Sequence, residues 1–348
     1  MNHPAFRFIV CSNGFGHLRR VLKVVSALNK QSTGCSITVE CKAKNLAQIA
    51  KDPEIAAVIS AGNLHFNHAA ADLEPEYNGH IRFQEFESWL RVLNPPAPGE
   101  VVVLDNEAIL LHKFPDAVLM GSFLWSDVIE SKKWMHLEPY VEAERSLIKA
   151  RNPFMLGLSD MATDRVRRGT RFVPLPWFVH ASSAIDDASK KHILLTMGGS
   201  GKEKEFLDLP LLAYLEENPN RVFTDERLRE TLNGRFSTFD FATSSFQKIK
   251  LVIGRPGIGI LTECVQYQIP IACVYEKDNS EMVHNAACVK RLGIGLDLMQ
   301  LPHTNHTEQL ANIMDSLTLP EKYSFQHIAY NGAETAANWL LNHWNNTM

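Results

Sequence analysis

Short apolar runs separated by amphipathic stretches recur along the first half of the chain. Those at 6–11, 36–41, 56–60, 101–104, 117–121 and 154–158 are rich in Val, Ile, Leu, Phe and Ala and bounded by polar residues, which predicts buried strands. After the first of them, Val21, Val24, Val25 and Leu28 fall at helical spacing, so a helix over 18–29 buries one face. Arg19, Arg20 and Lys23 fall elsewhere on that wheel. The second half repeats the alternation, with strands expected at 192–197, 221–224, 236–239, 249–253 and 270–275 and an amphipathic helix over 332–344. Strands that alternate with helices build parallel sheets from βαβ units. The expected fold class is therefore α/β, with two doubly wound Rossmann-like domains. The strand-like run 172–180 passes into a small, polar stretch, which sets the boundaries: an N-terminal domain 1–178, a linker 179–190, a C-terminal domain 191–330 and a terminal helix 331–348. The segment 94–99 reads as a loop, because a strand pattern resumes directly after it. The polar stretch 63–80 is too long for a simple turn and reads as a lid or binding loop. His65 and His68 within it lack a third ligand, and no metal is assigned.

Two strand-to-helix turns carry candidate chemistry. The first strand ends in Ser12, Asn13, Gly14, Phe15, Gly16 and His17, which places a histidine at a helix start on the rim where α/β folds bind ligands. A histidine there suits a general base, since its ordinary pKa lies near working pH. It needs a carboxylate to fix its tautomer, and Asp105, at the end of a strand reaching the same rim, is the candidate. Arg20 could neutralise a phosphate or ride as a solvated helix charge; Trp125 could line an acceptor surface or belong to the core.

The second turn follows the strand 249–253. Gly257 and Gly259 let the backbone approach an anion at the start of a helix that carries Glu263 about a turn further on. A second βα unit follows, with a polar loop from Glu276 to Glu281 and then Asn285. Upstream, Gly198, Gly199, Ser200 and Gly201 close the strand 192–197 as another candidate amide nest, or as a plain βα turn.

Composition narrows the classes. A chain of 348 residues suits two domains better than one, and 45% hydrophobic with 21% charged residues is ordinary for a globular protein. A formal charge of −4 argues against a general nucleic-acid binder. Arg165, Arg167, Arg168 and Arg171 crowd one segment, either as a solvated turn or as a contact for an anionic acceptor or lipid surface. The six cysteines show no Cys-x-x-Cys pair or zinc spacing, so buried reduced thiols are expected. No signal-peptide layout opens the sequence, and no run approaches the roughly 18–20 apolar residues of a membrane span. The chain reads as cytoplasmic, with a peripheral contact to the inner face of a membrane left open.

The segment 253–298 resembles the donor-binding half of GT-B-type glycosyltransferases that use nucleotide sugars. The residues that carry the likeness are Gly257, Gly259, Thr262, Glu263, Pro270, Asp278, Glu281, Asn285 and Ala286. It departs from the family pattern at Arg255, near the place of a histidine in many plant-type members, and in the spacing of Asp278 and Glu281. The Gly-x-Gly-His loop is similar to that of the lipid-linked peptidoglycan N-acetylglucosaminyltransferase. Gly14, Phe15, Gly16, His17 and Arg20 resemble the Gly-Phe-Gly-His-x-x-Arg motif in the glycosyltransferase-like half of plant L-arabinokinases. A second motif of that half is matched in part by Ser122, Phe123, Leu124 and Trp125.

The resemblance implies two domains facing a cleft, with a nucleotide-sugar donor, of UDP type, on the second domain. Gly199, Ser200, Arg255, Gly257, Ile258, Gly259, Thr262, Glu263, Asp278, Glu281 and Asn285 would contact the donor, with Glu263 on the ribose. The first domain would take an acceptor (glycan, lipid-linked sugar or small molecule) at Gly14, Gly16, Arg20 and Trp125, with His17 and Asp105 as the catalytic pair. The activity implied is hexosyl or N-acetylhexosaminyl transfer without metal or cofactor, the nucleotide sugar being a substrate. Two alternatives stay open: a nucleotide-sugar hydrolase in which His17 activates water, and a non-catalytic nucleotide-sugar-binding protein.

Overall fold

A computed structural model of the chain describes residues 3–32, 34–180, 189–197, 209–217, 219–300 and 323–347. The chain divides into two compact units, one made of Met1–Phe178 with Tyr330–Met348 and the other of Val179–Ala329. The first is built on β1 (Ala5–Val10), β2 (Ser36–Glu40), β3 (Leu64–Asn67), β4 (Glu100–Asp105), β5 (Val118–Met120), β6 (Phe154–Leu158) and β7 (Arg171–Leu175). These form one seven-stranded parallel sheet in the order β3-β2-β1-β4-β5-β6-β7. The central strands read as continuous apolar runs because both faces are covered: Phe6, Phe8, Ile9, Val103 and Leu104 are buried. Strand order reverses between β1 and β4, and their register sets Val10 opposite Asp105. The chain ends after these two strands therefore open side by side at the switch point, where such sheets bind ligands.

The second unit holds β8 (His192–Thr196), β9 (Val222–Thr224), β10 (Ser237–Thr238), β11 (Ile249–Gly254), β12 (Ile271–Cys273) and β13 (Gly295–Asp297). Among the described residues they form a six-stranded parallel sheet in the order β10-β9-β8-β11-β12-β13, again with a reversal, between β8 and β11. The chain thus has two doubly wound, Rossmann-like sheets, as its pattern predicts. Thr196 and Gly254 end the two central strands of the second sheet so closely that a Cβ on Gly254 would stand 1.9 Å from the Thr196 carbonyl oxygen.

Two expectations are corrected. Residues 56–60 are not a strand: Pro53–Ile59 is a helix with no buried residue. Asp52 caps it by accepting the Glu54 N–H at 3.0 Å, and Pro53 pre-sets its first turn. The stretch 63–80 is not structureless. It contributes the edge strand β3, paired with β2, and a short 3₁₀ turn, Ala71–Leu73. The C-terminal helix Gly332–Thr347 lies within the first unit and packs on the helix Phe15–Gln31. No described helix is long and apolar enough to cross a membrane.

Candidate active site

The loop after β1 turns at Gly14, whose φ of 115° is open to glycine and costly for other residues. The helix Phe15–Gln31 starts directly after it, and His17 sits in its first turn. Glu74 secures the loop by accepting the Ser12 N–H at 2.8 Å, and Asn45 donates to the Ser12 carbonyl at 3.1 Å. His17 Nδ1 lies 2.7 Å from Asp105 Oδ2. The aspartate side chain is 0% exposed and the imidazole 15%, so one partner is sealed while the other reaches the surface.

Arg20, one turn along the helix from His17, donates its Nε to Asp105 Oδ1 at 3.1 Å, and its Nη2 bonds the same oxygen. Burial alone would raise the Asp105 carboxyl. The Arg20 guanidinium and then His17 outweigh that and hold it below the usual carboxylate range. An ionised carboxylate only accepts, so Nδ1 is the ring nitrogen that carries a proton toward Asp105. Sequence placed Arg20 as a phosphate contact or a solvated charge. The solvated reading is corrected: Arg20 is buried and pairs with Asp105, because a sealed carboxylate requires a counter-charge.

Of the two readings for Trp125, an acceptor surface or the core, its burial fits the core. It is 3% exposed and stacks on Tyr77, with ring centroids 3.8 Å apart and planes at 4°. Tyr77 belongs to a buried polar chain that sequence reading missed. Its hydroxyl donates to Glu107 Oε2 at 2.6 Å and stands 2.9 Å from the Tyr140 hydroxyl, and Tyr140 is 3.3 Å from Glu144 Oε1. Glu144 also accepts the Ser126 N–H at 2.8 Å. Burial pushes the Glu144 carboxyl up, against the Ser126 N–H and the Tyr140 hydroxyl that bond it. Burial similarly raises Glu74 to about 8, against the Ser12 N–H and the Lys42 charge. These groups are dispersed in sequence among apolar residues, and only Glu74 and Glu107, each beside a predicted loop or strand end, offered a signal.

In the second unit the loop after β11 leads to the helix Ile258–Gln266, whose N-cap, Gly257, has no side-chain cap. Among the described residues, the first-turn amides of Ile258 and Gly259 thus have no side-chain cap. The Gly257 N–H does not join them: it bonds the Arg255 carbonyl at 2.9 Å. Arg255 Nε lies 3.1 Å from Glu276 Oε2, an ion pair that ties the loop after β11 to the end of β12. Two expected donor contacts turn inward instead. The Thr262 hydroxyl donates to the Ile258 carbonyl at 2.7 Å, one helical turn back. Asn285 is buried and donates its amide to the Pro256 carbonyl at 2.8 Å, bracing the loop from behind. Glu263 is half-buried, Asp278 exposed and Glu281 partly exposed. Asn279, which sequence reading passed over, caps the helix Ser280–Arg291. Gly199 and Ser200 lie outside the described residues.

No protein-family model matches the chain, and no curated protein matches its sequence. Solved structures do match, over nearly full length. Arabidopsis thaliana UGT89C1 complexed with quercetin aligns at a TM-score of 0.60 with 11% identity, over 99% of this chain and 100% of that one. The spinosyn rhamnosyltransferase SpnG aligns at 0.56 with 13% identity, over 98% and 100%. CalG4, the calicheamicin glycosyltransferase, aligns at 0.56 with 14% identity, over 100% and 98%. The chain therefore has the two-Rossmann GT-B fold of these glycosyltransferases. At such identities the likeness is one of fold.

Proposed function

We propose that the protein transfers a sugar from a nucleotide diphosphate sugar, of UDP type, to an acceptor hydroxyl, with His17 as general base. The observation that carries this reading is the His17–Asp105 pair at 2.7 Å, set at the switch point of the first sheet. Asp105 fixes the ring so that Nε2 faces outward with its lone pair, takes the acceptor proton, and becomes an imidazolium beside the buried carboxylate. Arg20 keeps that carboxylate ionised. The second unit holds the donor: the first-turn amides of Ile258 and Gly259, the helix dipole and Arg255 take up the diphosphate charge that grows as the glycosidic bond breaks. In this reading no metal is needed at the diphosphate. UGT89C1 has been crystallised with UDP and with quercetin, which supports a UDP-sugar donor and a small-molecule acceptor here.

The test is a screen of UDP-sugars with small-molecule and glycan acceptors, read as acceptor-dependent release of UDP with and without added Mg²⁺. His17→Ala is expected to lower turnover by roughly 10²–10⁴-fold, the usual worth of a general base, and to leave donor affinity nearly unchanged. Full turnover in that variant removes His17 from the chemistry. Rapid acceptor-independent release of free sugar makes the protein a hydrolase instead.

A further inference from the structure

Three side chains beneath the His17 loop converge in a way the transfer reaction does not use. Cys11 is the first residue beyond β1, Glu74 follows the 3₁₀ turn Ala71–Leu73, and Glu107 lies two residues past Asp105. All three are buried, and their thiol and carboxylate ligand atoms lie within 4.8 Å of one another. One oxygen of each carboxylate is held: Glu74 Oε1 by the Ser12 N–H at 2.8 Å, Glu107 Oε2 by the Tyr77 hydroxyl at 2.6 Å. The other two, Glu74 Oε2 and Glu107 Oε1, are sealed from solvent and receive no N–H or O–H from the described residues, the Cys11 thiol being the one group set against Glu107. Buried acceptors are ordinarily paired with strong donors, so an orphaned carboxylate oxygen and a second that meets only a thiol, all within one cluster, call for a ligand between them.

We propose that Cys11 Sγ, Glu74 Oε2 and Glu107 Oε1 bind one divalent transition-metal ion of the zinc type. A thiolate beside two carboxylates suits zinc and selects against magnesium and calcium, which take oxygen ligands. Charge balances as well: thiolate and two carboxylates carry three negative charges, met by the dication and by the buried Lys42 ammonium, 2.9 Å from the Glu74 carbonyl oxygen. Tyr77 and the Ser12 N–H fix the carboxylates in the pose that leaves the ligand oxygens free. The ion ties three segments together: the start of the Ser12–His17 loop, the Glu74 turn and the segment carrying Asp105. It is a structural brace distinct from any group at the donor phosphates.

The probe is Co²⁺ added to the full chain after chelator treatment and desalting. Binding of one equivalent is expected, with a thiolate-to-cobalt charge-transfer absorption, a raised Tm, and displacement by Zn²⁺ but not Mg²⁺. Cys11→Ser should abolish the charge-transfer band and Glu107→Gln should weaken Co²⁺ binding by more than roughly 10-fold, whereas Cys264→Ser, in the other unit, should change neither. A folded wild-type protein that takes up no Co²⁺, or a band that survives Cys11→Ser, overturns the proposal and leaves protons as the occupants. Because the wild-type titration alone can refute it, the outcome does not depend on the variants folding, and it is read without transfer activity.

Discussion

Asp105→Asn separates the two tasks of the buried aspartate. The substitution keeps the size of the side chain and one acceptor oxygen for Arg20 Nε, but it removes the charge that Arg20 faces at 0% exposure. It also sets an amide donor or a neutral acceptor against His17 Nδ1, so the ring no longer has a fixed carboxylate to define its tautomer. Removing one partner of a buried ion pair costs about 3–5 kcal/mol, because the other charge is left uncompensated. The retained oxygen places the asparagine variant near the lower end, about 3 kcal/mol. At roughly 2–4 °C per kcal/mol for a unit of this size, Tm should fall by about 6–12 °C. Turnover should fall by roughly 10²–10⁴-fold at temperatures where the variant is still folded. His17→Ala provides the contrast, since its partly exposed ring contributes less to the fold: similar loss of turnover, with little change in Tm. Calorimetry and UDP-release kinetics on the same preparations decide the matter. An asparagine variant that keeps its Tm and turns over within a few-fold of wild type would refute both the buried-pair energetics and the base assignment.

Glu144→Gln tests the raised carboxyl. Burial lifts the folded-state pKa above the unfolded one, so its contribution is intact at low pH and is lost as pH rises toward the folded value. The glutamine variant should match wild type near pH 4 and gain in relative Tm toward pH 8; a difference that does not grow with pH counts against the protonated form. Asn285→Ala removes the brace on Pro256, and a loss of about 1–2 kcal/mol should raise the donor KM by roughly 5–30-fold with kcat little changed. An unaltered donor KM separates that loop from the donor site. Gly254→Ala forces a Cβ against the Thr196 carbonyl and should destabilise the second unit by at least about 1–3 kcal/mol, read as faster amide exchange in β8 and β11. Unchanged exchange there would show that the two strands can part without cost.

Most of the strand framework was legible because buried parallel strands are continuous apolar runs, and those runs need no partner to be recognised. The failures share a cause: a residue's burial depends on what faces it across the sheet. Residues 56–60 carry the composition of a strand, and the capping signal that overrides it, Asp52-Pro53-Glu54, lies outside the run itself. The edge strand β3 is disguised by polar residues. The helical wheel put Arg20 among the solvated charges, yet Asp105, 85 residues away, draws it inward. The same long-range cause hides the chain from Glu107 through Tyr77 and Tyr140 to Glu144. Its members are spread from Tyr77 to Glu144 and read singly as unremarkable core or surface residues. His17 and Asp105 were readable because each ends or follows a strand, and strand ends in such folds share a rim.

The last helix has a bearing on how the protein is made. Gly332 donates its N–H to the Trp177 carbonyl at 2.8 Å, Trp344 donates to the Gly99 carbonyl at 3.0 Å, and Trp339 packs edge-on against Phe154 at 4.9 Å. The first unit is thus interrupted by the whole second one and completed by residues that follow it in the chain. During synthesis its sheet can form, but the face of the helix Phe15–Gln31 awaiting its cover stays open until Gly332–Thr347 has been made. Folding of the second unit in the meantime shortens the effective loop between Phe178 and Tyr330 and so lowers the entropy of closing it. The order of the sequence makes the second unit the helper of the first: a nascent chain that stalls in Val179–Ala329 leaves the His17 site on a scaffold that has not yet been sealed.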